Sequence, residues 1–245
     1  LRELGGTVIE VDTDGLYFVP PPDGPDEDSL LASLAGALPS GIELELSGRY
    51  GAMFSYKMKN YALLDDHGKL LIKGSGFRSR GIELFQRQWM EEVFRLLLEG
   101  RREEIPALAR RWEESFLAHR VPVRQFMKTE TLQESPEAYR EKVEEGKRNP
   151  AAPYELALAA ERSYQAGDQV SYYVAGGRPV KVSEAAKLAT AWDPSAPDEN
   201  TAHYIAKLRD LYEKFRPFIE RDGLRAPTED DAQNGPVQLT LDLQA

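Results

Sequence analysis

Near residue 80 the apolar residues stop alternating with polar ones and begin to recur every three or four positions. Alternation is the pattern of a strand with one buried face, and the wider spacing is that of a helix with one buried stripe. On the first side lie β-rich runs at 7–11, 16–19, 42–46, 50–56, 60–64 and 70–72. Turn chemistry separates them at Asp12-Thr13-Asp14-Gly15, at Gly48 and at Asp65-Asp66-His67-Gly68. One short helix, 29–38, interrupts these runs. On the second side Ile82, Phe85, Trp89, Val93 and Leu96 or Leu97 mark a long helix that closes at Gly100. Further helices are expected at 103–119, 136–147, 153–166, 183–190 and 201–220, with an extended stretch at 123–132 and a short strand at 169–175. The chain therefore reads as α+β, with a mainly antiparallel sheet in the first 75 residues and a mainly helical part after it.

The 245 residues suffice for one large domain or two modest ones, and no run approaches the ~20 apolar residues that cross a bilayer. With no cysteine in the chain, a disulfide framework, a thiolate zinc site and a cysteine nucleophile are excluded. Leu1 begins in mid-pattern, so a portion of a longer chain is expected. The net charge of −10 argues against a nucleic-acid partner until it is divided along the sequence. Residues 1–48 hold one basic and ten acidic groups, whereas 49–128 hold sixteen and ten. Residues 129–225 hold fourteen and seventeen, and 226–245 hold none and four. An acidic opening that could hold cations thus adjoins a basic middle that could face a polyanion.

The acidic opening contains one motif with chemistry in it. Asp12 and Asp14 stand two apart at a strand end, so both carboxylates can be aimed at one hard cation, magnesium above all. The same residues also suit an ordinary tight turn, and the spacing leaves both readings open.

Their surroundings resemble a known family. Val8-Ile9-Glu10-Val11-Asp12-Thr13-Asp14-Gly15-Leu16-Tyr17-Phe18-Val19 resembles the motif C hairpin of family B DNA polymerases, written YxDTDS and followed by an apolar strand. Glu10 stands at the tyrosine position and Gly15 at the serine position. Met58-Lys59-Asn60-Tyr61-Ala62 resembles the KKRYA element, with Met58 in place of the first lysine. Lys73-Gly74 with Arg78-Ser79-Arg80-Gly81 is similar to the IKG…RR segment. Three thumb elements follow in family order at Gln125-Phe126-Met127-Lys128, at Ala166 to Tyr172 (GDRVxY-like) and at His203-Tyr204-Ile205. Together these matches run from about residue 5 to residue 220.

The resemblance implies that residues 1–80 are the C-terminal part of a palm domain and 81–225 a thumb. It implies a DNA-directed DNA polymerase that adds a deoxynucleotide to a primer 3′ end with magnesium (Mg2+). Asp14 would be the principal metal ligand and Asp12 the more peripheral one. Lys59 would meet the primer strand, Tyr61 the duplex minor groove, and Lys73, Arg78, Arg80 and Lys128 phosphates. Primer–template DNA and deoxynucleoside triphosphates would be its partners, in a cytoplasmic, nucleoid-associated setting. The family's other palm aspartate, in DxxSLYPS, and its fingers lysine have no counterpart here, so an upstream polymerase portion or subunit would complete a two-metal site. Residues 226–245 read as a flexible acidic tail, in which Gln238, Leu239, Leu241 and Leu243 resemble the bacterial sliding-clamp-binding peptide. A bacterial source is therefore expected. Two rivals remain: a non-catalytic DNA- or clamp-binding scaffold, and an Asp-x-Asp glycosyltransferase.

Overall fold

The computed structural model describes the chain except residues 2, 4, 13, 14, 22, 75, 77–80, 178–180, 221–236, 244 and 245, and gives the backbone alone for 27 and 237–243. Its α+β fold divides into two units, Leu1–Arg78 with Met90–Ile105 and Arg221–Ala245, and Ser79–Trp89 with Pro106–Glu220. The first division falls close to residue 80, and a further one crosses a helix after Trp89.

In the first unit β1 (Thr7–Val11) and β2 (Gly15–Val19) form an antiparallel hairpin. Helix α1 (Glu27–Ala35) starts where the Asp26 carboxylate accepts the Ser29 N–H at 2.9 Å. Strands β3 (Ile42–Arg49), β4 (Ala52–Lys57), β5 (Asn60–Leu64) and β6 (Leu70–Lys73) follow. The sequence led us to expect all of them in one sheet with the hairpin, but only β3 shares the hairpin's sheet. One sheet has the order β1-β2-β10-β3, where β10 is Val237–Leu243, and a second has the order β4-β5-β6. The expected tail thus corrects at 237–243 to a strand. Val237, Leu239, Leu241 and Leu243 alternate with polar residues, which is strand patterning inside an acidic segment.

Two apolar clusters hold this unit. Phe18 and Leu30 are buried together with Leu16, Leu34, Leu44 and Leu46 around them. Tyr17, Tyr61 and Leu63 are buried with Ile9, Tyr50, Met53 and Leu71. Helix α2 (Leu84–Leu98) buries Val93, Phe94, Leu97 and Leu98 at helical spacing. It ends at Gly100, whose φ of +70° lets Arg101 donate back to the Leu96 carbonyl at 2.8 Å and Gly100 to that of Leu97 at 3.2 Å.

The second unit contains α3 (Ile105–Leu117), α4 (Val123–Phe126), β7 (Lys128–Thr131), α5 (Pro136–Glu144), α6 (Ala152–Ala159), β8 (Gln169–Val174), α7 (Val182–Ala185), β9 (Ala186–Leu188) and α8 (Thr201–Ile219). Two expectations are corrected here. Residues 123–132 begin with a helical turn after Pro122 before extending into β7, and 183–190 are a short helix giving way to β9. Antiparallel pairing in the order β7-β8-β9 overrides the helix propensity of Ala186-Lys187-Leu188. Phe85, Phe116, Phe126 and Tyr204 form an aromatic core, with Phe85–Phe116 and Phe126–Tyr204 centroids 5.0 Å apart.

Candidate active-site hairpin

The backbone places Asp12 at the end of β1, where its N–H donates to the Gly15 carbonyl at 2.8 Å. Just before it, Val8 pairs with Phe18 while Glu10 pairs with Tyr17, so Ile9 is an extra residue on β1. Such a bulge re-aims the side chains that follow it. Glu10 consequently reaches a second hairpin, that of β4 and β5. One carboxylate oxygen accepts the Ser55 hydroxyl at 2.9 Å and the other accepts the Lys59 N–H at 3.0 Å. Lys59 stands at φ +60°, a left-handed conformation that a non-glycine residue adopts only at a cost. Its ammonium lies 3.0 Å from the Asp12 carboxylate.

A third segment closes on the same turn. Gly74 has φ +112°, and a Cβ there would stand 2.3 Å from the Asn60 Oδ1 and 2.5 Å from the Lys59 carbonyl oxygen. Only glycine permits that approach. Asn60 Oδ1 also accepts the Gly76 N–H at 2.9 Å. Beneath the turn, the Tyr61 hydroxyl donates to that of Tyr17 at 3.1 Å, with the rings edge to face at 5.0 Å. Burial, followed by the Tyr61 hydroxyl, pushes the Tyr17 phenol well above its usual range.

The structure therefore brings Asp12 and Lys59 together on one surface. Asp14, Arg78 and Arg80 lie outside the described residues. Tyr61 is only 3% exposed. Its hydroxyl and ring engage Tyr17 inside the unit. Lys73 ends β6 in an exposed position. In the second unit, Lys128 lies 3.2 Å from Glu130, which also accepts the Tyr172 hydroxyl at 2.5 Å. The backbones of Gln238, Leu239, Leu241 and Leu243 all belong to β10. Sequence reasoning treated Glu10 merely as a departure from the tyrosine and overlooked Ser55, Asn60 and Tyr17. The readable signal was an acid placed among apolar strand residues, two positions before Asp12.

Among the described residues, no group of three or more His, Asp or Glu side chains is arranged to hold a metal ion. Asp12 contributes one hard-oxygen donor, and Lys59 already balances its charge. The described residues therefore do not by themselves fit magnesium. Among them, no helix is long and apolar enough to cross a membrane.

This fold is shared with a family B DNA polymerase from the hyperthermophilic archaeon Pyrobaculum calidifontis. The match covers 91% of this chain and 27% of that one, with a TM-score of 0.67 at 23% identity. No family model matches the chain. In sequence it is similar to DNA polymerase 1 of Pyrococcus abyssi, at 34% identity over 96 residues, which are 37% of this chain and 12% of that protein. A longer match joins it to the DNA polymerase of Thermococcus litoralis, 26% identical over 218 residues, covering 83% of this chain and 12% of the relative. The DNA polymerase of Desulfurococcus sp. (strain Tok) is 26% identical over 236 residues, covering 90% of this chain and 28% of the relative. The chain is thus similar in sequence to archaeal DNA polymerases, shares its fold with a family B DNA polymerase, and spans little more than a quarter of the length of these proteins at most. The likeness found is to archaeal polymerases, which corrects the bacterial-like resemblance expected from the tail.

Proposed function

We propose that this chain is part of a DNA-directed DNA polymerase, contributing a carboxylate hairpin to nucleotidyl transfer and a basic surface to primer–template duplex. The observation that carries this reading is the junction of the two hairpins. The element resembling motif C and the element resembling KKRYA are far apart in sequence, yet Glu10 fastens one to the other and Lys59 meets Asp12. Homology over 83–90% of the chain supports it.

In this reading Asp14 and Asp12 would hold magnesium only together with a carboxylate from outside the chain, and the metal would supply positive charge against a deoxynucleoside triphosphate. Glu10 fixes the Lys59 backbone, and the Lys59 ammonium is poised between Asp12 and an approaching primer strand. Lys73, Arg78, Arg80 and Lys128 add charge toward phosphates. Tyr61 supports the hairpins from within. The peptide at Gln238, Leu239, Leu241 and Leu243 docks on a sliding clamp, and the location is cytoplasmic.

Equilibrium binding of the chain to a labelled primer–template duplex across a salt series tests this proposal. Affinity that falls steeply with salt, and falls further in Lys59→Ala, is expected. Absence of binding at low salt by the folded chain would overturn the duplex surface. A second reading, a non-catalytic duplex-binding scaffold, draws on the existing charge balance between Asp12 and Lys59. It predicts the same binding but no dependence of primer extension on Asp14.

A further inference from the structure

We propose that the gap between β2 and β3 is a strand-receiving slot, that Val237–Leu243 of the same chain is its exchangeable resident, and that residence withholds the Gln238–Leu243 peptide from outside partners. In the four-stranded sheet β2 and β3 are not neighbours; each pairs with β10. Strands pair about 4.8 Å apart, so the gap is one strand wide. Left open, it would present two facing rows of unpaired N–H and C=O groups, which makes an occupant obligatory for a continuous sheet.

Register specifies the occupant. Leu239 pairs with Leu46, Leu241 with Leu44 and Leu243 with Ile42. The three β3 residues are partly buried, and alternate with the exposed Glu43, Glu45 and Ser47. A slip by one residue would put Gln238, Thr240 and Asp242 opposite them, so the leucine spacing selects a single register. The same leucines, with Gln238, make up the clamp-like pattern. Residues 237–240 pair on both edges and 241–243 with β3 alone, so the peptide must leave the sheet before its full length can enter another protein's groove. Thr240 also pairs with Gly15, whose carbonyl accepts the Asp12 N–H, so slot occupancy adjoins the carboxylate hairpin directly. Because the strand belongs to the same chain as its slot, its effective concentration there is high.

The withholding part rests on the clamp reading, whereas the slot does not. Amide hydrogen exchange on the full chain, wild type and Leu241→Pro, tests the slot. Proline removes a ladder N–H, and exchange at Gly15–Val19 and Ile42–Arg49 should accelerate at least tenfold while β8 in the second unit stays protected. A synthetic peptide of residues 234–245, added in excess to the variant, should restore that protection. Unchanged exchange in Leu241→Pro would overturn the slot. Protection that grows with protein concentration alongside a doubled mass would overturn the same-chain assignment.

Withholding is tested with a purified sliding clamp, to which the isolated 234–245 peptide should bind at least tenfold more tightly than the full chain does. Equal binding would overturn withholding. If the isolated peptide fails to bind, the clamp reading and the withholding fall together while the slot stands.

Discussion

Replacing Glu10 with alanine removes both oxygens that tie the β1–β2 hairpin to the β4–β5 turn. Each accepts one hydrogen bond, at 2.9 Å from Ser55 and 3.0 Å from Lys59. Bonds to a charged acceptor contribute roughly 1.5–3 kcal/mol where water is excluded, and the lower end applies to this partly exposed pair. Lys59 in addition carries the left-handed penalty, about 1 kcal/mol or more, which its bonded N–H helps offset. A local destabilisation of about 2 kcal/mol follows, or roughly a thirtyfold acceleration of amide exchange, since about 1.4 kcal/mol is tenfold. Tryptophan fluorescence is blind to this change, because Trp89, Trp112 and Trp192 all belong to the second unit. The assay is therefore exchange at Asn60–Leu64 of β5, read in wild type, Glu10→Ala and Glu10→Gln. Glutamine keeps one acceptor oxygen and should recover about half the effect. Exchange in Glu10→Ala within twofold of wild type would refute the claim that Glu10 fastens the two hairpins.

Tyr61→Phe deletes the buried hydroxyl that donates to Tyr17 and should cost about 1 kcal/mol in first-unit stability, measured by exchange at β2 and β5. Gly74→Ala places a methyl 2.3 Å from Asn60 Oδ1 at φ +112°, and should cost more than about 2 kcal/mol while weakening duplex binding through the displaced Lys59 turn. The His203 imidazole titrates below its usual range because burial, then the nearby Lys207 ammonium, disfavours its charged form, against a smaller opposing effect of Glu83. The unfolded chain thus takes up this proton first as pH falls below about 6.5, so second-unit stability is full above that pH and declines on acidification. Thermal melts of wild type and His203→Gln between pH 8 and 5 should show a shallower decline in the variant.

Much of the fold was legible because local periodicity and local pairing agree. The β1–β2 hairpin, β5 and the apolar stripe of α2 lie where alternation and helical spacing put them. The division of the early strands into two sheets was not legible, since it depends on β10 arriving from the far end of the chain. Its alternating leucines were visible, but the surrounding acids read as a tail. At 186–188 sheet pairing decided the structure against residues that favour a helix. In the site, Asp12 and Lys59 were both singled out from motifs, yet their contact depends on the Ile9 bulge and on Glu10, and neither follows from spacing. The burial of Tyr61 was not legible, because a motif position carries no information about burial, which here comes from Tyr17 across the unit.

The central claim is that the Asp12–Asp14 hairpin serves nucleotidyl transfer once joined to the remainder of a polymerase. Grafting this chain in place of the matching segment of the Desulfurococcus DNA polymerase, and measuring primer extension with magnesium, tests it most directly. Extension by the chimaera and its loss in Asp14→Ala, with duplex binding retained, are expected. A folded, duplex-binding chimaera that does not extend the primer, or one that extends it equally well with Asp14→Ala, would rule out a catalytic role for the hairpin.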